Sequence, residues 1–268
     1  MSEGLYCQYA YLPAGQLPHG IGQGIDPQYP LELVLDDPIA ALVSRLGAKW
    51  LQTVPLRQGR NLAQLKMLSD RCDEIIRTAA IGQPVFPLRP RIGFRSLEAV
   101  RAAMARYKPV IVDFFNEVGR RREWLVELYR TPAAVQLTPA AVRHQNGLRQ
   151  PKVEYRLRKT ANLEAHRRIQ SELHQAVELV ESCLLRYSAR HCHVSQAAQV
   201  FPPRKEELVY SSSFLVSSSA IVGWLEAVTG LRRELAAKGL LLEWSGPWPP
   251  YHFCPELGLT KNPYAILF

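Results

Sequence analysis

The sequence predicts an α+β protein of two domains: an N-terminal ferredoxin-like α/β sandwich and a C-terminal α+β domain built around a long helix. Three observations point there. Residues 1–130 alternate short strand-like runs with amphipathic helical stretches. Residues 131–151 carry Pro132, Pro139, Gly147 and Pro151 without apolar periodicity and read as a linker. Lys152 to about Ser188 then reads as one long helical segment, with apolar residues at helical intervals along its second half, before strand signals return in a second domain over 152–268.

The first strand is Leu5-Tyr-Cys-Gln-Tyr-Ala-Tyr-Leu12, whose alternation places Tyr9 and Tyr11 on one face beside Leu5 and Cys7. Pro13 stops it. The following Gly20-Ile-Gly-Gln-Gly24 is spaced like a dinucleotide loop, but a strand follows it where that motif needs a helix. Leu31-Glu-Leu-Val-Leu35, the turn Asp36-Asp-Pro38 and residues 39–45 read as a hairpin. The paired acids there lack a third ligand and are turn residues.

Leu62, Leu65, Leu68, Cys72, Ile75, Ile76 and Ala79 recur at intervals of three and four, which predicts a helix over 61–80 closed by Gly82. Val85-Phe-Pro-Leu-Arg89 is a short buried strand. Ser96 caps a helix to Tyr107, and Pro109 starts a fresh one ending at Gly119. Glu123-Trp-Leu-Val-Glu-Leu-Tyr129 completes the first domain as its last strand. The order strand, hairpin, helix, strand, two helices, strand suggests the ferredoxin-like sandwich.

In the second half, Ile169, Leu173, Ala176, Val177, Val180, Cys183, Leu184 and Tyr187 form the stripe of the long helix. Residues 207–216 are a strand, and Ile221, Trp224, Leu225, Val228, Leu231 and Leu235 line a second helix capped at Ser217 or Ser218. Gly239 is where that helix reverses.

Composition narrows the function classes. With 47% hydrophobic and 21% charged residues the chain is expected to fold, and no apolar run approaches the roughly 18–20 residues of a membrane span. The N-terminus lacks a secretory pattern, and the five scattered cysteines suit a reducing, cytoplasmic setting. The net charge of +9 permits nucleic acid, an anionic surface or an acidic partner. No motif supports catalysis or a cofactor. His191-Cys-His193 and Cys183 invite a metal reading, but these positions alone cannot close a tetrahedral site, so no metal ligands are expected. His19, His144, His166 and His174 are read as exposed polar residues.

The most informative stretch is Leu240-Leu-Leu-Glu-Trp-Ser-Gly-Pro-Trp-Pro-Pro-Tyr-His-Phe253. Three prolines in four residues remove backbone donors, so the strand entering this stretch belongs at a sheet edge and leaves it in a stiff, extended form. Tyr251 and Phe253 fall on one side of such a segment. They serve either as rings plugging the core or as a surface for a partner.

Ser245-Gly-Pro-Trp-Pro-Pro-Tyr-His-Phe253 resembles the C-terminal signature of the gas vesicle GvpF/GvpL family, TGPWPPYSF, with Ser245 for Thr and His252 for Ser. Pro87-Leu-Arg-Pro-Arg-Ile-Gly93 is similar to the family's PLRFG segment, although Thr53-Val-Pro-Leu-Arg-Gln-Gly59 offers a second register. Glu123-Trp124-Leu125-Val126 resembles its EW-L-V strand. Tyr155-Arg-Leu-Arg-Lys159 resembles its YLLRK string, with Arg156 for Leu. The resemblance implies a cytoplasmic, vesicle-associated accessory protein, not an enzyme. It would bind the hydrophobic GvpA-like shell subunit and other accessory proteins and help nucleate or assemble the vesicle. The residues expected to meet partners are Trp244, Trp248, Pro249, Pro250, Tyr251 and Phe253, with Arg156, Arg158 and Lys159 available to an acidic partner. The alternative is a basic nucleic-acid-binding α+β protein. It would use Arg156, Arg158, Lys159, Arg167 and Arg168, with Tyr6, Tyr9 and Tyr11 as stacking rings.

Overall fold

The computed structural model describes residues 5–15, 22–48, 62–88, 92–131, 151–195, 204–259 and 265–267. The second PLR-x-G string and most of the predicted linker lie outside them. The chain forms two compact units, Met1–Glu123 with Pro247–Phe268, and Trp124–Gly246. In chain order the second unit is therefore an insertion within the first. This differs from the sequence division at 130 and 152. Strand pairing and side-chain packing, not the Pro/Gly-bearing connection, decide where each segment belongs.

In the first unit, β1 (Leu5–Pro13), β2 (Leu31–Asp36) and β3 (Ile39–Leu46) share a sheet with β4 (Phe86–Pro87), β5 (Ile92–Phe94) and a C-terminal strand, Ala265–Leu267. The β2–β3 hairpin closes at the expected Asp36-Asp37-Pro38 turn, with Asp36 opposite Ile39. In β1 the register to β3 shifts between Gln8 and Ala10. This bulge inserts one residue and reverses the alternation. Cys7, Tyr9, Ala10 and Leu12 consequently share one core cluster with Cys72, Ile75, Ile76 and Ala79 of α1 (Leu62–Ala79). Tyr11 turns to the other face, edge-on to Phe86, which in turn meets Phe114 of α2 (Leu97–Val118) at 4.7 Å between ring centroids. Tyr9 and Tyr11 do not share a face, contrary to simple alternation. Both are buried, so they offer no open platform for stacking bases.

Helix α2 is capped by Ser96, as the sequence indicates, but it continues through Pro109 to Val118 instead of breaking into two helices. One buried stripe spans the proline: Tyr107 on one side, Ile111, Phe114 and Val118 on the other. Lys108 Nζ also reaches Asp36 Oδ1 at 2.5 Å and the Asp37 carbonyl at 3.1 Å. Packing and this anchor outweigh the hydrogen bond that a proline removes.

The second unit contains β6 (Arg122–Arg130), α3 (Pro151–Leu184), β7 (Ser188–His193), β8 (Glu207–Val216), α4 (Ile221–Ala236) and β9 (Leu240–Trp248), with sheet order β7-β8-β6-β9. That β-α-β-β-α-β succession is the split-βαβ pattern. The ferredoxin-like order expected for the N-terminal domain thus occurs in the inserted unit. In the first unit α1 packs with Cys7, Tyr9, Ala10 and Leu12 of β1, while α2 meets Phe86, the ring beside Tyr11. The inserted unit's core places Ala176, Val180 and Leu184 of α3 with Val228 and Leu231 of α4 against Val126, Leu128, Phe214 and Leu242. Trp224, fully buried, sits at its centre 5.2 Å from the Trp124 ring. β7 is a short polar run whose composition carries no strand signal.

Candidate partner-binding surface

β9 is an edge of its sheet among the described residues, and it runs through Pro247, which an edge tolerates. Along it Leu240, Leu242 and Trp244 point to the unit's core, Trp244 partly buried with the Arg232 guanidinium 5.6 Å from its ring centroid. Leu241 and Glu243 alternate to the other side, and Glu243 receives both terminal nitrogens of Arg204 at 2.7 and 2.8 Å. This bidentate pair holds the Glu243 carboxyl below its ordinary range.

From Pro247 onward the chain belongs to the first unit. Tyr251–Phe253 form a 3-10 turn, not an extended segment. A polar contact from far along the chain accompanies this turn. The Glu123 carboxylate, only 2% exposed, accepts the His252 backbone N–H at Oε2 (2.9 Å) and lies 2.5 Å from His252 Nδ1 through Oε1. Hydrogen bonding to Glu123 raises the His252 imidazole above its ordinary value, although burial opposes the shift.

The aromatic residues of the motif seat on α1. Tyr251 packs against the first unit's core cluster and its hydroxyl donates to Asp73. Asp73 also holds Arg77 Nε at 2.9 Å, and the Arg77 guanidinium lies over the Trp248 ring, 4.5 Å from its centroid. Burial, and then Asp73, push the Tyr251 phenol well above its ordinary value, so it remains a donor. At the end of α1, Arg122 donates to the carbonyls of Ala80 (2.6 Å) and Gln83 (3.1 Å).

The expected partner residues thus separate into groups. Pro249, Pro250 and Phe253 are buried, while Trp244, Trp248 and Tyr251 are partly buried. Arg156, Arg158 and Lys159 lie on α3 near its start; the described contacts do not extend to their side chains. Of the two rings read as core plugs or as a partner surface, Phe253 is buried and Tyr251 is partly buried against the core cluster, and the strand that precedes them is at a sheet edge among the described residues. Asp73, Arg77 and Glu123 support the motif from more than a hundred residues away in sequence, beyond the reach of any spacing pattern.

Two features bear on the other readings. Glu181 of α3 lies beside His191 and His193 of β7, giving three potential metal-ligand atoms within 4.8 Å of one another. Among the described residues no helix is long and apolar enough to cross a membrane.

A family model described as gas vesicle synthesis protein GvpL/GvpF matches residues 4–255. No curated protein matches the chain. Among solved structures, gas vesicle protein GvpF from Anabaena sp. PCC7120 is similar with a TM-score of 0.68 at 17% identity, over 95% of this chain and 97% of that one. GvpF from Microcystis aeruginosa is similar with a TM-score of 0.66 at 14% identity, over 95% of this chain and 100% of that one. At these identities the structural likeness establishes the fold.

Proposed function

The chain belongs to the gas vesicle GvpL/GvpF family, and on that premise we propose that it binds the hydrophobic GvpA-like shell subunit, together with other accessory proteins, and assists nucleation or assembly of the vesicle. The observation that carries this reading is the family match across residues 4–255. A shell subunit with a large apolar face needs a partner to cover it before assembly, since exposed apolar patches drive indiscriminate association. The contact we assign is the edge of β9 over residues 240–244, where an added strand would gain main-chain hydrogen bonds. In this reading the Pro-Trp-Pro-Pro-Tyr segment holds the end of that strand. Arg156, Arg158 and Lys159 serve an acidic accessory partner, and the protein acts in the cytoplasm at the vesicle without catalysing a reaction.

The test is co-purification with the small shell subunit, compared with an unrelated control of equal net charge. Specific capture by this chain alone is the expected result. Failure of capture, combined with salt-dependent retention on RNA or DNA, overturns the reading in favour of nucleic-acid binding.

A further inference from the structure

We propose that Glu181, His191 and His193 form a binding site for a divalent transition-metal ion, with Zn²⁺ as the best match to the donor set. The site lies within the inserted unit and is independent of the shell contact. His191 and His193 are two residues apart on β7 and therefore project from the same side of the strand. The 3-10 turn Leu185–Tyr187 sends the chain back from the end of α3, so the last helical turns face this side of the strand. Glu181 stands there: its Oε1 is 3.5 Å from His193 Nε2 and 4.0 Å from His191 Nε2.

Two imidazole nitrogens and one carboxylate oxygen thus converge on a single small volume. In a tetrahedral zinc site with bonds of about 2.0–2.1 Å, neighbouring ligand atoms are about 3.3 Å apart. The Glu181–His193 separation is already close to that value, and the Glu181–His191 separation needs to contract by about 0.7 Å. That contraction falls to side-chain rotation of Glu181 and His191, 24% and 30% exposed, while His193, 66% exposed, is the least confined of the three. The surroundings orient the Glu181 and His191 side chains. Tyr210 Oη donates to Glu181 Oε1 at 3.3 Å, and the His191 ring stacks on Phe214 at 5.9 Å between centroids. Such outer contacts orient metal ligands. Two histidines and a carboxylate are an established three-ligand zinc set, which leaves the fourth position to water or to a ligand from outside the chain.

The bound ion would fasten β7, an edge strand of its sheet among the described residues, to α3. Without metal, the same geometry is a contact between the Glu181 carboxylate and the two imidazoles, and the two cases differ in measurable ways.

The experiment uses the untagged full chain, stripped with chelator and titrated with Zn²⁺ by calorimetry, with thermal unfolding followed in parallel. One saturable equivalent and a raised Tm are expected. His193→Gln and Glu181→Gln should each weaken binding by at least about tenfold, and Tyr210→Phe by about tenfold as the loss of an orienting contact. Cys192→Ser and His174→Gln should bind as the parent does. Co²⁺ substituted into the parent chain gives a check that does not depend on the variants folding: its visible spectrum should show nitrogen and oxygen ligation without thiolate charge transfer. No stoichiometric binding, unchanged affinity in folded His193→Gln, or a thiolate band would each overturn the proposal.

Discussion

Glu123 and His252, 129 residues apart in sequence, are joined twice: the carboxylate accepts the His252 backbone N–H and pairs with its imidazole. This contact holds the turn that follows Pro250, and it makes the C-terminal segment part of the first unit. Glu123→Gln is expected to lower stability by roughly 1.5–3 kcal/mol, the range for hydrogen bonds to charged groups. Urea unfolding near pH 6 measures this directly.

The same pair sets a pH dependence. Glu123 raises the His252 imidazole above 6.5 in the folded chain. Its contribution to stability is therefore complete below the unfolded value of about 6.5 and disappears as pH rises through the elevated folded value. His252→Asn should remove this component, so that the variant loses less stability than the parent between pH 6 and pH 9. Identical pH profiles would contradict the linkage.

Tyr251, Asp73 and Arg77 form one connected network on α1, with Trp248 covered by Arg77. Tyr251→Phe should cost about 1 kcal/mol. Combined with Asp73→Ala, the double substitution should cost less than the sum, because both changes remove one bond. Strict additivity, read from denaturant midpoints, would show that Tyr251 and Asp73 do not act together.

Gly24 is a close approach of backbone to side chains. A Cβ built there would sit 2.1 Å from Ser44 Oγ and 3.0 Å from Tyr9 Oη. Those hydroxyls bond each other at 2.7 Å, and Tyr9 Oη also accepts the Ile25 N–H at 2.9 Å. Gly24→Ala is expected to destabilise by about 1–3 kcal/mol through overpacking. Ser44→Gly should relieve part of the clash, which thermal unfolding of the double variant tests.

Local signals made much of the fold legible. The Asp36-Asp37-Pro38 turn announces the hairpin, Ser96 announces the start of α2, and apolar spacing locates α1, α3 and α4. Three kinds of feature were not legible. The bulge at Tyr9 reverses a strand's faces without any change in composition. The continuation of α2 through Pro109 depends on tertiary packing of Tyr107, Ile111 and Phe114. Most consequentially, the return of the Pro-Trp-Pro-Pro-Tyr segment to α1 depends on Asp73, Arg77 and Glu123, residues too distant for any spacing rule. The strand β7 and the third member of the Glu181 cluster were missed for the same reason: a polar six-residue run acquires its meaning only when a helix turn is placed beside it.

The most direct measurement of the proposed shell contact is hydrogen exchange of the chain with and without the shell subunit. Slowed exchange concentrated in residues 240–244 of β9 is the predicted result. Absence of binding, or binding that protects other segments and leaves β9 unchanged, would contradict it.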